Sequence, residues 1–231
     1  MKFRRIFFLI AGLLTLSAAL WAGDSASFVD LGFSQDGSHY MFAQFGVQVN
    51  TLRPWADLFI VDVARNDFVP GGRIAHVHDS PIRPGQDGAG VMHRLIAQNS
   101  ALATRYGISF NQGQPLYIAL DGDPAYAGDP ISFRDFISGI SYRATLVESF
   151  FGSGQNLQSS FYISLESTDP RNERRNFTIG TPSLRRSLIT SYRIKEVLVA
   201  PTGNSLIFVI EMQRLAGNTH DIRYMVEALR M

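Results

Sequence analysis

From Phe28 onward, apolar and polar positions alternate in short runs broken by Gly, Pro, Asn and Asp, the period-two signature of β-strands. Val29, Leu31 and Phe33 alternate, Gln35-Asp36-Gly37-Ser38 supplies a turn, and Tyr40 to Phe45 resume an apolar run, so a β-hairpin is predicted there. After Arg53-Pro54, Asp57 to Val63 is rich in β-branched and aromatic residues. Arg65-Asn66-Asp67 then turns the chain into a short fourth strand at Phe68-Val69, ending at Pro70-Gly71-Gly72. These segments predict one antiparallel meander.

One stretch in the middle has helical spacing instead. Val91, Met92, Leu95, Ile96, Leu102, Ala103 and Tyr106 share a face, and Gly107 stands where a left-handed cap ends a helix of about four turns. Pro115 to Leu120, Ile131 to Phe136, Ser141 to Val147 and Ser160 to Leu165 predict further strands. Thr168 to Asn176 is polar and aperiodic, as an exposed loop is. Near the C-terminus the opening pattern returns. Val197 to Gly203 followed by Ser205 to Ile210 matches Leu31 to Gly37 followed by His39 to Gln44, pairing Phe33 with Val199 and Phe42 with Phe208. Ile222, Tyr224 and Val226 alternate as the strand after it.

The first 22 residues follow a different rule. Lys2, Arg4 and Arg5 precede an apolar run from Ile6 to Leu20, and Ala22 offers a small cleavage residue, the order of a secretory signal peptide. The run is short for a membrane span, so no span is expected after cleavage, and the mature chain covers residues 23–231. With no cysteine anywhere, an exported protein must rely on its core rather than on disulfides. Cleavage turns the formal net charge of +1 into −2, so nothing in the overall charge favours nucleic acid. The arginines are scattered along the chain, and Lys195 is the one lysine beyond the signal.

Phe33-Ser-Gln-Asp-Gly37 resembles the propeller-blade repeat of the TolB and WD40-like families, whose mark is Phe-Ser-Pro-Asp-Gly before an aromatic strand. It departs from that mark at Gln35, and Ala200-Pro-Thr-Gly203 keeps only Pro and Gly. From Phe28-Val-Asp-Leu-Gly-Phe-Ser34 through Ala56-Asp-Leu-Phe-Ile-Val-Asp-Val63 to the Ala200 segment, the chain also resembles a bacterial family of predicted secreted proteins defined as a domain of unknown function. That resemblance implies export and carries over no functional residues. A closed propeller needs about four blades or more, and no third motif stands between Arg73 and Tyr192. The expected fold is mainly β, with antiparallel meanders in a propeller-like or sandwich architecture and one central helix. It forms a single domain over 23–231, with blade-like segments 28–72 and 194–229.

Three clusters have residue types that carry chemistry. His76 and His78 alternate on a strand and can offer two imidazoles to a metal, with His93 or Asp79 as a third ligand, although His93 belongs to the predicted helix. Asp121, Asp123 and Asp129 supply hard oxygen ligands for calcium, but without the spacing of a twelve-residue calcium loop, so a turn cluster is expected. Gly85-Gln-Asp-Gly88-Ala-Gly90 precedes the helix but lacks the lysine of a phosphate loop. No Gly-x-Ser-x-Gly elbow and no His-Glu-x-x-His pair occurs. The expected protein is therefore periplasmic or secreted and non-enzymatic, a module that binds a protein or cell-envelope component through loops and needs no cofactor. The alternative is a hydrolase, in one form metal-assisted through His76 and His78.

Overall fold

The structure is a computed structural model that describes residues 23–120 and 128–231; the predicted signal peptide and the candidate ligands Asp121 and Asp123 lie outside them. The described residues are mainly β, in three antiparallel sheets with two short helices. Sheet I comprises β1 (Ser27–Ser34), β2 (His39–Val47), β3 (Pro54–Asp62), β4 (Asp67–Val77) and β5 (Ile108–Asn111), in the order β4-β3-β2-β1-β5. Sheet II comprises β7 (Pro130–Arg134), β8 (Ser141–Phe151), β9 (Gln158–Thr168) and β10 (Arg174–Ile179), in the order β10-β9-β8-β7, and β11 (Arg186–Ser187) also pairs with β9. In sheet III, β6 (Gln114–Ile118), β12 (Ile189–Val199), β13 (Ser205–Ala216) and β14 (Thr219–Arg230) run β14-β13-β12-β6.

Three apolar clusters hold these layers together. Phe33, Tyr40 and Phe42 of sheet I pack against Leu198, Ile207 and Val209 of sheet III. The opposite face of sheet III, carrying Val197, Leu206, Phe208 and Ile210, packs against Tyr142, Leu146, Phe161 and Ile163 of sheet II. The outer face of sheet I, with Met41, Ala43, Leu58 and Ile60, is covered by Val91, Met92 and Leu95 of α1 (Ala89–Gln98) and Ala103 of α2 (Ser100–Arg105). A strand buried on both faces should read as a continuous apolar run rather than an alternation. Leu206 to Ile210 and Tyr40 to Ala43 do so, whereas β8, with one face in solvent, alternates Tyr142, Ala144 and Leu146 with exposed or half-buried partners.

Three expectations need correction. The loop expected over Thr168 to Asn176 is a turn only at 169–173, because Arg174, Arg175 and Asn176 pair with Thr168, Ser167 and Glu166 as the start of β10. The single helix of four turns is two helices, because Asn99 leaves helical geometry and its side-chain amide donates to the Leu95 carbonyl at 2.8 Å, ending α1. The fourth strand does not stop at Pro70-Gly71-Gly72 but continues to Val77. Edge position explains this: among the described residues β4 pairs only with β3, so Pro70 sacrifices no ladder bond. The β3–β4 register shifts between Phe59 and Val61, and Gly71 takes φ +74° opposite that irregularity.

The two repeated hairpins turn alike. Gly37 donates to the Ser34 carbonyl at 2.9 Å and Gly203 to the Ala200 carbonyl at 2.8 Å, with φ of +69° and +71°. Their tips touch, as Ser205 Oγ donates to the Gly37 carbonyl at 3.3 Å.

Candidate functional site

A cleft of about 560 Å³ lies beside the shared apolar cluster of sheets I and III and is lined also by Thr181, Leu184, Arg186 and Ser187, from the segment that pairs with sheet II. Its volume lies in the ordinary range for small-ligand sites. Phe42, Phe59, Val61 and Val226 form the apolar walls, Phe68 and Leu184 stand at half-exposed to exposed positions, and Arg73, Arg214 and Arg223 bring positive charge. Arg73 lies over the Phe68 ring at 5.1 Å and Arg223 over the Trp55 ring at 4.3 Å, so aromatic faces orient both guanidiniums.

The polar framework follows from a problem at β14. It is the edge of sheet III, and an edge strand's outward N–H groups need partners. Side chains and the segment just before β1 supply them: the Ile222 amide donates to the Asp24 carbonyl at 2.8 Å, Tyr224 to Gln44 Oε1 at 2.8 Å, and Ala228 to Asn66 Oδ1 at 2.6 Å. By strand alternation the Val226 amide faces the same edge, between the positions held by Gln44 and Asn66 and inside the cleft. Gln44 is itself buried and its side-chain amide donates to Asp57 Oδ2 at 3.0 Å.

Glu227 is the most buried charge in the cleft, at 4% exposure. The Asn66 side-chain amide donates to one carboxylate oxygen, and Arg186 approaches the other at 3.4 Å. Gly180 leaves room for this carboxylate, since a β-carbon there would lie 3.2 Å from the Glu227 Cδ. Burial raises the Glu227 carboxyl above its ordinary range, against the opposing pull of the Asn66 hydrogen bond and Arg186. Burial also raises Asp57, opposed by Gln44, Arg223 and Arg73.

A carboxyl raised in the folded state binds its proton more tightly folded than unfolded. Its contribution favours folding below the unfolded value and is lost as pH rises through the folded one. Glu227→Gln carries no charge to bury, so its stability relative to the wild type is expected to increase as pH is raised from about 4 to about 7. Urea midpoints of both proteins across that range check this. A relative stability that falls with pH would mean that Arg186, not burial, dominates the site.

The candidates drawn from sequence lie elsewhere. His76 is exposed in the extended part of β4, paired with Ala56 across the ladder. His78 follows that strand, with Nδ1 3.1 Å from the Ser80 amide, and His93 is exposed on α1. Among the described residues no group of three or more His, Cys, Asp or Glu side chains is placed to hold a metal ion. Asp129 is exposed at the start of the turn into β7. The glycine-rich run before α1 serves close packing, because a β-carbon on Gly88 would fall 2.6 Å from the Gly46 carbonyl oxygen of β2. Gln44, Asn66, Asp57, Arg186 and Glu227 were not singled out in the sequence. Gln44 and Glu227 did leave a signal there: each is a polar residue inside an otherwise apolar strand, the position at which a partner has to be found.

The family described as predicted secreted protein, DUF2259, matches residues 41–230, which leaves out β1 and takes in every residue of the cleft. The chain belongs to this family. Membership places the protein outside the cytoplasm, secreted or periplasmic. Among the described residues no helix is long and apolar enough to cross a membrane. No curated protein and no solved structure matches the chain.

Proposed function

We propose that this member of the family is an exported, non-enzymatic binding module whose cleft between sheets I and III takes the anionic, partly apolar group of a protein or cell-envelope component. One observation carries the reading: apolar walls at Phe42, Phe59 and Val226 stand together with the guanidiniums of Arg73, Arg214 and Arg223 and the outward Val226 amide. Such a site offers apolar area for affinity and a few convergent donors for orientation. A hydrolase would draw its acid and base from Asp57 and Glu227, whose shifted carboxyls are of the kind found in active sites. Gln44, Asn66 and Arg186 already engage both groups, which favours binding over catalysis.

Anilinonaphthalene sulfonate, an aromatic anion, tests the proposal. Folded protein is expected to bind it saturably at one site, and Arg73→Gln with Arg214→Gln to weaken it about tenfold or more, each lost charge-assisted contact contributing roughly 1 kcal/mol. Unsaturable binding, or binding indifferent to both arginines, would overturn the cleft as the site.

The same reading covers residues 1–22 as a cleaved signal and 23–231 as one domain. The single-domain part of it is supported by the position of sheet III, which contributes to the cores on both of its sides. A propeller-like stack is favoured by the repeat itself. Phe33 and Phe42 face sheet III, while their counterparts Val199 and Phe208 face sheet II, so each copy turns the same face to the next sheet, as successive blades do. On this reading the helices that pack on the outer face of sheet I favour an open row of sheets over a ring.

A further inference from the structure

Phe136 and Ile137 are 84% and 82% exposed, although β7 immediately before them is a well-packed strand. Isolated exposed apolar residues need no explanation, but two adjacent ones on a turn held rigid do. Asp135, buried at the base of the turn, accepts the Ile137 amide on Oδ1 at 2.8 Å and the Ser138 hydroxyl on Oδ2 at 2.6 Å. The Gly139 amide closes the loop on the Asp135 carbonyl at 2.8 Å, with φ +76° at Gly139. The side chains are thus projected by a preformed turn, and little ordering entropy remains to be lost on contact.

The neighbouring hairpin tip supplies charge. A β-carbon on Gly139 would lie 3.1 Å from Pro170 Cγ and 3.9 Å from Arg134 Nη2, so the 169–173 turn and the Arg134 guanidinium both sit against the Phe136-Ile137 loop. Arg171 is exposed on that second tip. Asp169, whose Oδ1 accepts the amides of Arg171 and Glu173, offsets part of this charge together with Glu173 and Asp135, yet among the described residues no carboxylate forms an ion pair with Arg134 or Arg171. Behind the tips, the register Arg134–Ser141–Thr168–Arg174 crosses sheet II to Arg174, whose guanidinium approaches Glu166 at 4.0 Å.

We propose that these paired tips form a membrane anchor, in which Phe136 and Ile137 enter the headgroup region of an anionic lipid surface while Arg134 and Arg171 bind lipid phosphates. The convex, projecting shape suits insertion between headgroups, and the guanidiniums behind the apolar pair complement phosphate. The net negative charge of the mature chain does not oppose this, because screening limits its reach to about 10 Å at ordinary ionic strength. Two apolar side chains and two arginines give reversible attachment, not permanent insertion.

Cosedimentation of the mature protein with vesicles of phosphatidylcholine, alone or mixed with phosphatidylglycerol, tests the proposal. Binding is expected to the mixed vesicles only, to fall about tenfold or more in Phe136→Ser/Ile137→Ser, and to weaken in Arg134→Gln/Arg171→Gln. It should be unchanged in Arg73→Gln/Arg214→Gln, which separates this anchor from the cleft. All the altered side chains at the tips are exposed, and a Phe136→Trp variant adds a direct readout, a blue-shifted emission on mixed vesicles. A wild-type protein that stays in the supernatant, vesicle binding that survives the double serine change, or an unmoved tryptophan emission would each overturn it. So would tip-dependent self-association without lipid binding, which would make this a protein-docking surface.

Discussion

Phe208→Ala is expected to destabilise the protein by about 3–5 kcal/mol, the range for emptying a large aromatic site that cannot collapse. Phe208 is fully buried at the centre of sheet III, which is packed on both faces, and its ring meets Phe133 of sheet II edge-on at 6.4 Å. Neither neighbouring sheet can move in to fill the void without disturbing the other. Phe42→Ala should cost a similar amount by a different route. Its ring stacks on Phe59 at 4.7 Å and on Phe28 at 5.6 Å, so the loss falls on the interface between sheets I and III. Denaturant unfolding monitored by two independent probes measures both. A cost below about 1 kcal/mol for either would mean that the sheets are not packed face on face as described.

Gly37→Val and Gly203→Val are expected to differ, although both glycines occupy the same position of the same turn. Each has positive φ, which costs a β-branched residue about 1–2 kcal/mol. At Gly203 nothing lies within 4 Å of a new β-carbon, so that strain is the whole effect. At Gly37 a β-carbon would stand 2.6 Å from Thr202 Oγ1 and 2.8 Å from Asn204 Oδ1, two atoms already hydrogen-bonded to each other at 2.6 Å. The total there should be about 3–4 kcal/mol, strain plus overpacking of the contact between the two tips. Unfolding midpoints of the two variants decide it, and equal losses would remove the tip-to-tip contact as a stabilising feature.

The candidate site was far less legible than the fold. The strands around Tyr40 to Phe45 and Ser205 to Ile210, and the turns at Gly37 and Gly203, were visible because each is set by a few neighbouring residues. Of the loop expected from Thr168 to Asn176, the turn covers only 169–173, because the polar residues Arg174 to Asn176 pair with β9, and the sequence did not show that Asn172 adopts φ +63°, a conformation asparagine tolerates. The end of β4 was missed because Pro70 and two glycines stop a central strand, and only pairing reveals that this strand is an edge. The histidines stood out through residue type and spacing, yet they lie away from the cleft. Its working residues, Gln44, Asn66 and Glu227, belong to no motif.

By itself, then, the sequence determined the β-rich class, the places where the chain turns, the residues that must be buried and, through the order of charge, apolar run and small residue, the expectation of export. Tertiary structure decided which buried face meets which. Apolar periodicity reports that a side chain leaves water, not what it packs against, so Phe42 and Phe208 look equivalent in the chain while one faces sheet III and the other sheet II. The cleft depended on tertiary structure for the same reason. It rests on hydrogen bonds from the Tyr224 amide to Gln44, from the Asn66 side chain to Glu227 and from the Ala228 amide to Asn66, across 180, 161 and 162 positions of sequence. An edge strand's outward amides donate to any suitably placed oxygen, and only the stacking of sheet I on sheet III brings those oxygens within reach.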